Sequence, residues 1–294
     1  MAKARALDKR RKSITNIRKI TRTMELVSTA QFRRAMERAV AVDSYTKRLV
    51  RLVGDLVASG LATDAPLLEP REKKERAVLL ILTANRGMCG GYNSGVLRAA
   101  LARLTQLQEQ FQNVELYVSG SRGLSYLKYR KFQIDQFYGQ FDHKPTFDDV
   151  NLIANQFLTR YAKGEIDRLE VAYAKFVSIS KQYPTVEPLL PLADMTKPAE
   201  EQQAEHCPAL GYEFLPSPQD VLEEIVPNAF RLKLFKTFLD AAVCEQIARM
   251  MAMKAATDNA DQMISLLTTE YNRARQSQIT NEIIEVVSGA SAVQ

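Results

Sequence analysis

Two stretches of this chain could do chemistry. The first is Gly87-Met-Cys-Gly-Gly91, a glycine-rich loop between an apolar run and a helical stretch. Backbone N–H groups at such a junction can cradle a phosphate. The spacing matches neither GxGxxG nor GxxxxGK[ST], and a tight turn that lets helix and strand approach closely is the competing reading. A dinucleotide site also wants an acidic residue ending the second strand; Glu115 lies inside that strand instead. Cys89 sits in the loop, where a helix N-terminus lowers a thiol pKa, but no histidine is near it in sequence. The second stretch is His206-Cys207 in a polar loop, which has too few ligands at the wrong spacing for a metal. The chain has two histidines (His143 and His206), three cysteines (Cys89, Cys207 and Cys244), no CxxC and no tryptophan. These counts argue against His-based metal or triad chemistry, a disulfide scaffold and structural zinc. They fit a reducing, cytoplasmic setting.

The elements that would position these residues follow from the helix breakers. All 11 prolines lie between Pro66 and Pro227, the first glycine is Gly54, and residues 228–288 hold neither type. Two long arms therefore flank a punctuated middle. The first arm reads as one helix over about residues 5–58, with Ile17, Ile20, Met24 and Val27 in one apolar series and Val42, Tyr45, Leu49, Leu52 and Leu56 in another. The two series are one residue out of step, as in a nearly straight helix. At 1.5 Å per residue it is roughly 80 Å long. The last arm reads as a helix from after Pro218 to about Ser288, with Gly289 as its stop and Ala260, Ile264, Leu267, Tyr271 and Ala274 as a stripe. Such stripes need burial, and antiparallel packing of the two arms supplies it. The last arm is the longer, so one end should project alone.

In the middle, residues 76–82 and 114–118 read as strands and 94–112 as a helix. A short helix near 124–129, a helix over 147–162 and a strand over 169–177 follow. The alternation predicts a small α/β domain with a largely parallel sheet. Residues 184–218 read as an irregular return connection. The division is 1–58, 59–217 and 218–294.

The net charge of +6 hides a gradient. Residues 1–57 hold 15 Lys and Arg against 5 Asp and Glu, residues 58–216 hold 18 against 19, and residues 217–294 hold 7 against 10. An acidic partner should meet the first arm. A nucleic-acid helix is a rival, although Phe32 and Tyr45 are its few aromatics and stacking platforms for single strands are missing. A solvated coiled-coil face is the other. No run of about 18 apolar residues exists to span a membrane, and the basic start lacks the apolar segment of a secretory signal. In the last arm, Thr257-Asp-Asn-Ala-Asp-Gln262 interrupts the helix with poor helix formers and suggests a surface that meets something other than its helix partner. Ile283-Ile-Glu-Val-Val287 is apolar on more than one side and implies an enclosing partner.

Four stretches carry a resemblance. They are Lys12–Met24, Thr83–Asn93 (with Asn85 where an aspartate is common), Ala248–Ala260 and Tyr271–Glu282. From end to end the chain resembles the gamma subunit family of the F-type ATP synthase. The resemblance implies an antiparallel coiled coil of the N- and C-terminal helices with a central Rossmann-like α/β domain. It implies a rotor inside a hexamer of alternating alpha and beta subunits, with a foot on the epsilon subunit and the c-subunit ring. Such a subunit has no catalytic, cofactor or metal residues of its own, since nucleotide chemistry belongs to beta. By resemblance, Met24, Arg249, Arg275, Gln276, Thr280 and Glu282 contact the catalytic hexamer. Ile283, Ile284, Val286 and Val287 meet an apical apolar sleeve, and Tyr212 and Glu213 touch epsilon or the c ring. Leu215 stands ahead of Pro216 where the family often carries an acid, with Glu213 as its substitute. Only Cys207 occupies the segment where chloroplast relatives carry a cysteine pair, so no thiol switch is expected. The implied place is the cytoplasmic face of the bacterial inner membrane, as a peripheral protein without membrane insertion or nucleic acid. A nucleotide-binding α/β enzyme with coiled-coil dimerisation arms is the alternative reading.

Overall fold

The computed structural model describes residues 2–58, 67, 75–141, 144–192 and 218–291. Helix α1 spans Ala2–Ala58 and helix α5 spans Pro218–Ser291. Between them come β1 (Arg76–Leu82), α2 (Tyr92–Gln110), β2 (Asn113–Ser119), α3 (Ser121–Tyr129), β3 (Gln136–Tyr138), α4 (Phe147–Ala162), β4 (Arg168–Phe176) and β5 (Gln182–Leu190). Contacts divide the chain into two compact units, one of Met1–Thr29 with Arg249–Gln294 and one of Ala30–Ala248.

The first unit is a helix pair. Arg11 lies over Tyr271, Arg18 bonds Asp261 and Thr21 meets Thr257. Partner numbers rise on α5 as they fall on α1, so the helices run antiparallel. The inward positions of α1 here are Ala4, Leu7, Arg11, Ile14, Arg18, Thr21, Glu25 and Ser28, all buried or half-buried. In the second unit they are Phe32, Ala35, Ala39, Val42, Thr46 and Leu49. Both sets follow one seven-residue repeat without a slip. The expected drift is therefore absent; of the second apolar series Val42, Leu49 and Leu52 pack against the core, whereas the first series turns mostly outward. Ile17, Ile20 and Val27 are 48%, 57% and 50% exposed, and Tyr45 is exposed as well. The reason is that the seam carries polar residues which find polar partners on α5, so apolar spacing pointed to the wrong face. On α5 the expected stripe holds: Ala260 and Leu267 are buried, and Ile264, Tyr271 and Ala274 are half-buried. Helix α5 runs through Gly289, which does not stop it.

The second unit is built on a five-stranded sheet in the order β3-β2-β1-β4-β5. Strands β3, β2, β1 and β4 are parallel, and β5 is antiparallel to β4. Strand β1 is buried on both faces, as its unbroken apolar run requires. Val78, Leu80 and Leu82 pack with α4 and with Ala35, Phe230, Leu234 and Phe238 of the terminal helices. Ala77, Leu79 and Ile81 pack with Val96, Ala100 and Leu104 of α2. Strand β5 overturns the expectation of irregular chain from residue 184. Pro184 and Pro188 belong to a strand that bonds β4 alone, and a sheet edge is where proline's missing donor is tolerated. Buried Glu170 on β4 is held by Arg103 at 2.7 Å and Arg168 at 2.6 Å, so its charge is compensated. The Arg103 and Arg168 guanidiniums outweigh burial and hold its carboxyl below the usual range.

The close approach of helix and strand lies at Gly120 and Gly123, not in the glycine-rich loop. A Cβ on Gly120 would sit 2.1 Å from the Thr83 carbonyl oxygen, and φ there is +98°. A Cβ on Gly123 would sit 2.5 Å from Thr83 Oγ1, whereas one on Gly91 would meet only Ser94 at 3.8 Å.

Three predictions follow from this packing. Gly120→Ala should destabilise the sheet unit by about 3 kcal/mol or more, since clash and backbone strain add; urea denaturation with no shift would contradict it. Ile17→Ser combined with Ile20→Ser should change folding free energy by less than about 1 kcal/mol, because both point outward and the two residue types have similar helix propensity. Leu267→Ser, on the seam, should cost about 2–3 kcal/mol in the same measurement.

Candidate functional site

The glycine-rich loop is built as a turn. Asn93 fastens it: its Oδ1 accepts from Ala84 N at 2.9 Å and its Nδ2 donates to Cys89 Sγ at 3.1 Å. The Tyr92 amide donates to the Cys89 carbonyl, and Ser94 Oγ to the Gly91 carbonyl. One of the backbone donors a phosphate would use is therefore spent within the loop. Cys89 is 2% exposed, so it is shielded from solvent rather than presented to it. Met88 and Gly90 adopt left-handed backbone, and the Met88 side chain is exposed. Asn85 ties the loop to its neighbours. Its Oδ1 accepts from Ser121 N at 3.0 Å and Ser121 Oγ at 3.1 Å, and its Nδ2 donates to the Phe141 carbonyl at 2.8 Å. A carboxylate could not make that last bond, which gives the asparagine here a structural reason. A groove of about 480 Å³ opens beside the loop, floored by Leu97 and Leu101 and rimmed by Arg98, Arg122 and Tyr126. Among the described residues no group of three or more His, Cys, Asp and Glu side chains is placed to hold a metal.

The surface of the helix pair is the stronger candidate. Residues 1–29 hold nine Lys and Arg against two acids. Set among these charges are exposed Ile17, Ile20, Leu26 and Val27, with Met24 half-buried beside them. The α5 residues of this unit add Met251, Met263 and Leu266, each exposed. Leu26, Met251, Met263 and Leu266 were not singled out in the sequence; the seven-residue repeat would have found them, because they fall off the seam. Such a mixture of apolar side chains and cations suits an amphipathic, acidic protein surface.

The other expected contact residues fall into four groups. Arg275, Gln276, Thr280 and Glu282 are exposed on α5. Gln278 Nε2 donates to Glu282 at 2.8 Å, and Thr280 Oγ1 donates to the Gln276 backbone carbonyl at 3.0 Å. Ile283, Ile284, Val286 and Val287 are between 55% and 72% exposed. The last inward residue of α5 is half-buried Gln278; residues 279–288 are all exposed, because α1 begins opposite that turn. Arg249 differs from the rest: it is 7% exposed, so most of its side chain lies within the chain. Tyr212, Glu213 and Leu215, like His143, His206 and Cys207 and the boundaries near 59 and 217, lie outside the described residues.

The polar interruption of α5 is also partly turned inward. Thr257 is buried, with its hydroxyl 2.8 Å from that of Thr21, and Asp261 Oδ1 accepts from Arg18 at 2.9 Å. Two residues expected to meet something else thus meet the helix partner, while Asp258, Asn259 and Gln262 remain exposed.

Comparison with known proteins adds the family. The sequence model of the family described as ATP synthase matches residues 3–293. The ATP synthase gamma chain of Rhodopirellula baltica is 51% identical over 295 residues, with both chains covered in full. That of Leptospira biflexa is 36% identical over 293 residues, again with full coverage. Among solved structures, the rotor of Euglena gracilis mitochondrial ATP synthase aligns over 95% of this chain and 99% of its own, with a TM-score of 0.65 at 17% identity. The central stalk and c ring of Tetrahymena thermophila mitochondrial ATP synthase gives 0.57 over 81% of this chain and 99% of its own, at 18% identity. These two show the same fold. Full-length identity of this order, on a chain with paired terminal helices around an α/β sheet, means that this chain belongs to the ATP synthase gamma-chain family.

Proposed function

We propose that this chain is the central-stalk rotor of a bacterial proton-translocating ATP synthase, non-catalytic itself, with the nucleotide sites on the beta subunits around it. The observation that carries the reading is the bare end of α5, where four aliphatic side chains stand exposed beyond the start of α1. Covering them is worth roughly 1 kcal/mol each. Hydrophobic contact is non-directional, so an apolar sleeve can hold such an end while it turns. A rod inside three equivalent sites cannot touch them equally. It therefore favours a different conformation in each through differential contact, and about 5.5 kcal/mol of difference moves a two-state site from 1:99 to 99:1. The cationic start of α1, with Met24 and the exposed isoleucines, supplies contacts for acidic loops of the beta subunits.

Arg275, Gln276, Thr280 and Glu282 add polar contacts to the hexamer on this reading, Arg249 being enclosed within the chain, and Tyr212 and Glu213 serve the epsilon subunit and the c ring. No helix among the described residues is long and apolar enough to cross a membrane. The chain works on this reading as a peripheral subunit at the cytoplasmic face of the inner membrane, held there through its partners.

Arg275→Ala with Gln276→Ala should lower ATP synthesis by the reconstituted complex by about tenfold or more, the equivalent of 1.4 kcal/mol of lost contact energy. Both side chains are exposed, so thermal melting of the free chain should stay unchanged. Wild-type synthesis rates in that double variant would count against the proposed contacts. Purification of a tagged chain without alpha and beta subunits would count against the rotor reading itself.

A further inference from the structure

The second unit holds a buried carboxylate that its surroundings do not fully neutralise. Asp240, on α5, is 3% exposed. Its ion-pair partner among the described residues is Lys236, one turn earlier, at 3.4 Å. That ammonium lies closer to Asp43 of α1, at 2.5 Å. Each of the other acids nearby holds two lysines. Asp43 has Lys47 at 2.8 Å as well as Lys236, and Glu187 of β5 has Lys175 of β4 at 2.7 Å and Lys233 of α5 at 3.5 Å. Tyr173 of β4 is buried and bonds Glu187, and Tyr183 of β5 borders the same group. Cys244, one turn beyond Asp240, is 2% exposed and adds no positive charge.

We propose that Asp240 is a proton-uptake site built into the junction of α1, α5 and the β4–β5 edge, and that its protonation state decides whether Lys236 serves α1 alone or is divided. With Asp240 neutral, Lys236 belongs to Asp43 and α1 is tied to α5 by an undivided ion pair. With Asp240 ionised, buried Asp240 and half-buried Asp43 both draw on Lys236 and the tie slackens. Burial, opposed by Lys236 and more weakly by Lys233 and reinforced by the Asp43 carboxylate, pushes Asp240 up to about 6. The folded value lies above the unfolded one of 3.8. The folded chain therefore binds the extra proton in the window between them, and this contribution to stability is present at low pH and lost as pH rises through about 6.

The test combines carbon NMR of the Asp-labelled full chain with thermal melting. The Asp240 carboxyl should titrate near pH 6 in the unaltered chain, and Asp43→Asn should lower that midpoint by about one unit as Lys236 moves across. Asp240→Asn, which mimics the neutral form, should melt close to the unaltered chain at pH 4.5 and about 5 °C above it at pH 7.5. A carboxyl already ionised at pH 4.5, a midpoint indifferent to Asp43→Asn, or a melting difference that stays constant from pH 4.5 to 7.5 would each overturn the proposal. Should Asp240→Asn not fold, the titration in the unaltered chain decides alone.

Discussion

A helix of 74 residues has a face that needs a neighbour, and everything else in this chain answers to that requirement. In the second unit the neighbour is plentiful. Val226, Phe230, Leu234, Phe238 and Ile247 of α5 pack into a core shared with α1, α4 and the sheet. In the first unit α5 packs on α1, and the seam is thin: Ala4, Ser28, Arg249, Met253, Thr257, Ala260 and Leu267 are the buried residues of this unit among those described. Two helices side by side cover about half of each other at best, so the remaining apolar side chains stay at the surface. The exposure of Ile17, Ile20, Leu266 and Met251 is a geometrical consequence of a two-helix pair that carries a second apolar face.

The polar members of that seam fix register more than they add stability. Arg18 and Asp261 are 43% and 52% exposed, and a pair so wet is worth 1 kcal/mol at most. An apolar seam with a seven-residue repeat can slide by one repeat at modest cost. Sliding this one would part Arg18 from Asp261, Thr21 from Thr257 and Arg11 from Tyr271. Misalignment therefore costs more than correct pairing gains, which is how polar seam residues select one register.

The same feature explains what sequence reasoning read and what it missed. Breakers are local, so the absence of glycine and proline located both long helices, and α4 and β1 matched residue for residue. The facing of a helix depends on its partner. Ile17, Ile20, Met24 and Val27 are the more apolar series, yet Arg11, Arg18, Thr21 and Glu25 lie inward because α5 presents Tyr271, Asp261 and Thr257 opposite. No property of residues 1–29 alone reveals that. Strand β5 was missed for a related reason, since Pro184 and Pro188 are breakers everywhere except at an edge, and edges are set by sheet order. Among the candidate site residues, Arg275 and Gln276 were placed by the family resemblance, and the exposed tip was legible from composition and position. Burial of Arg249 was not, because it is a tertiary fact.

Placement of charge separates the two units by task. In the second unit three acids are enclosed and paired: Glu170 with two arginines, Glu115 with Arg160 at 2.8 Å, and Glu187 with two lysines. Their carboxyls are held below the ordinary range, since hydrogen bonds and ion pairs outweigh burial. Truncating one partner of such a pair costs several kcal/mol, so these groups make the sheet unit rigid. In the first unit the cations are mostly exposed: Arg10, Lys12, Lys19 and Arg22 stand in solvent. Exposed cations add little to folding but steer an acidic surface and can be handed from one contact to the next, because each contact is weak and screened. On the proposed rotor reading, a subunit that holds its shape in one place and exchanges contacts in another needs that difference. Enclosed pairs spread through the helix pair would have made it stiffer, but would have left it no charge to offer.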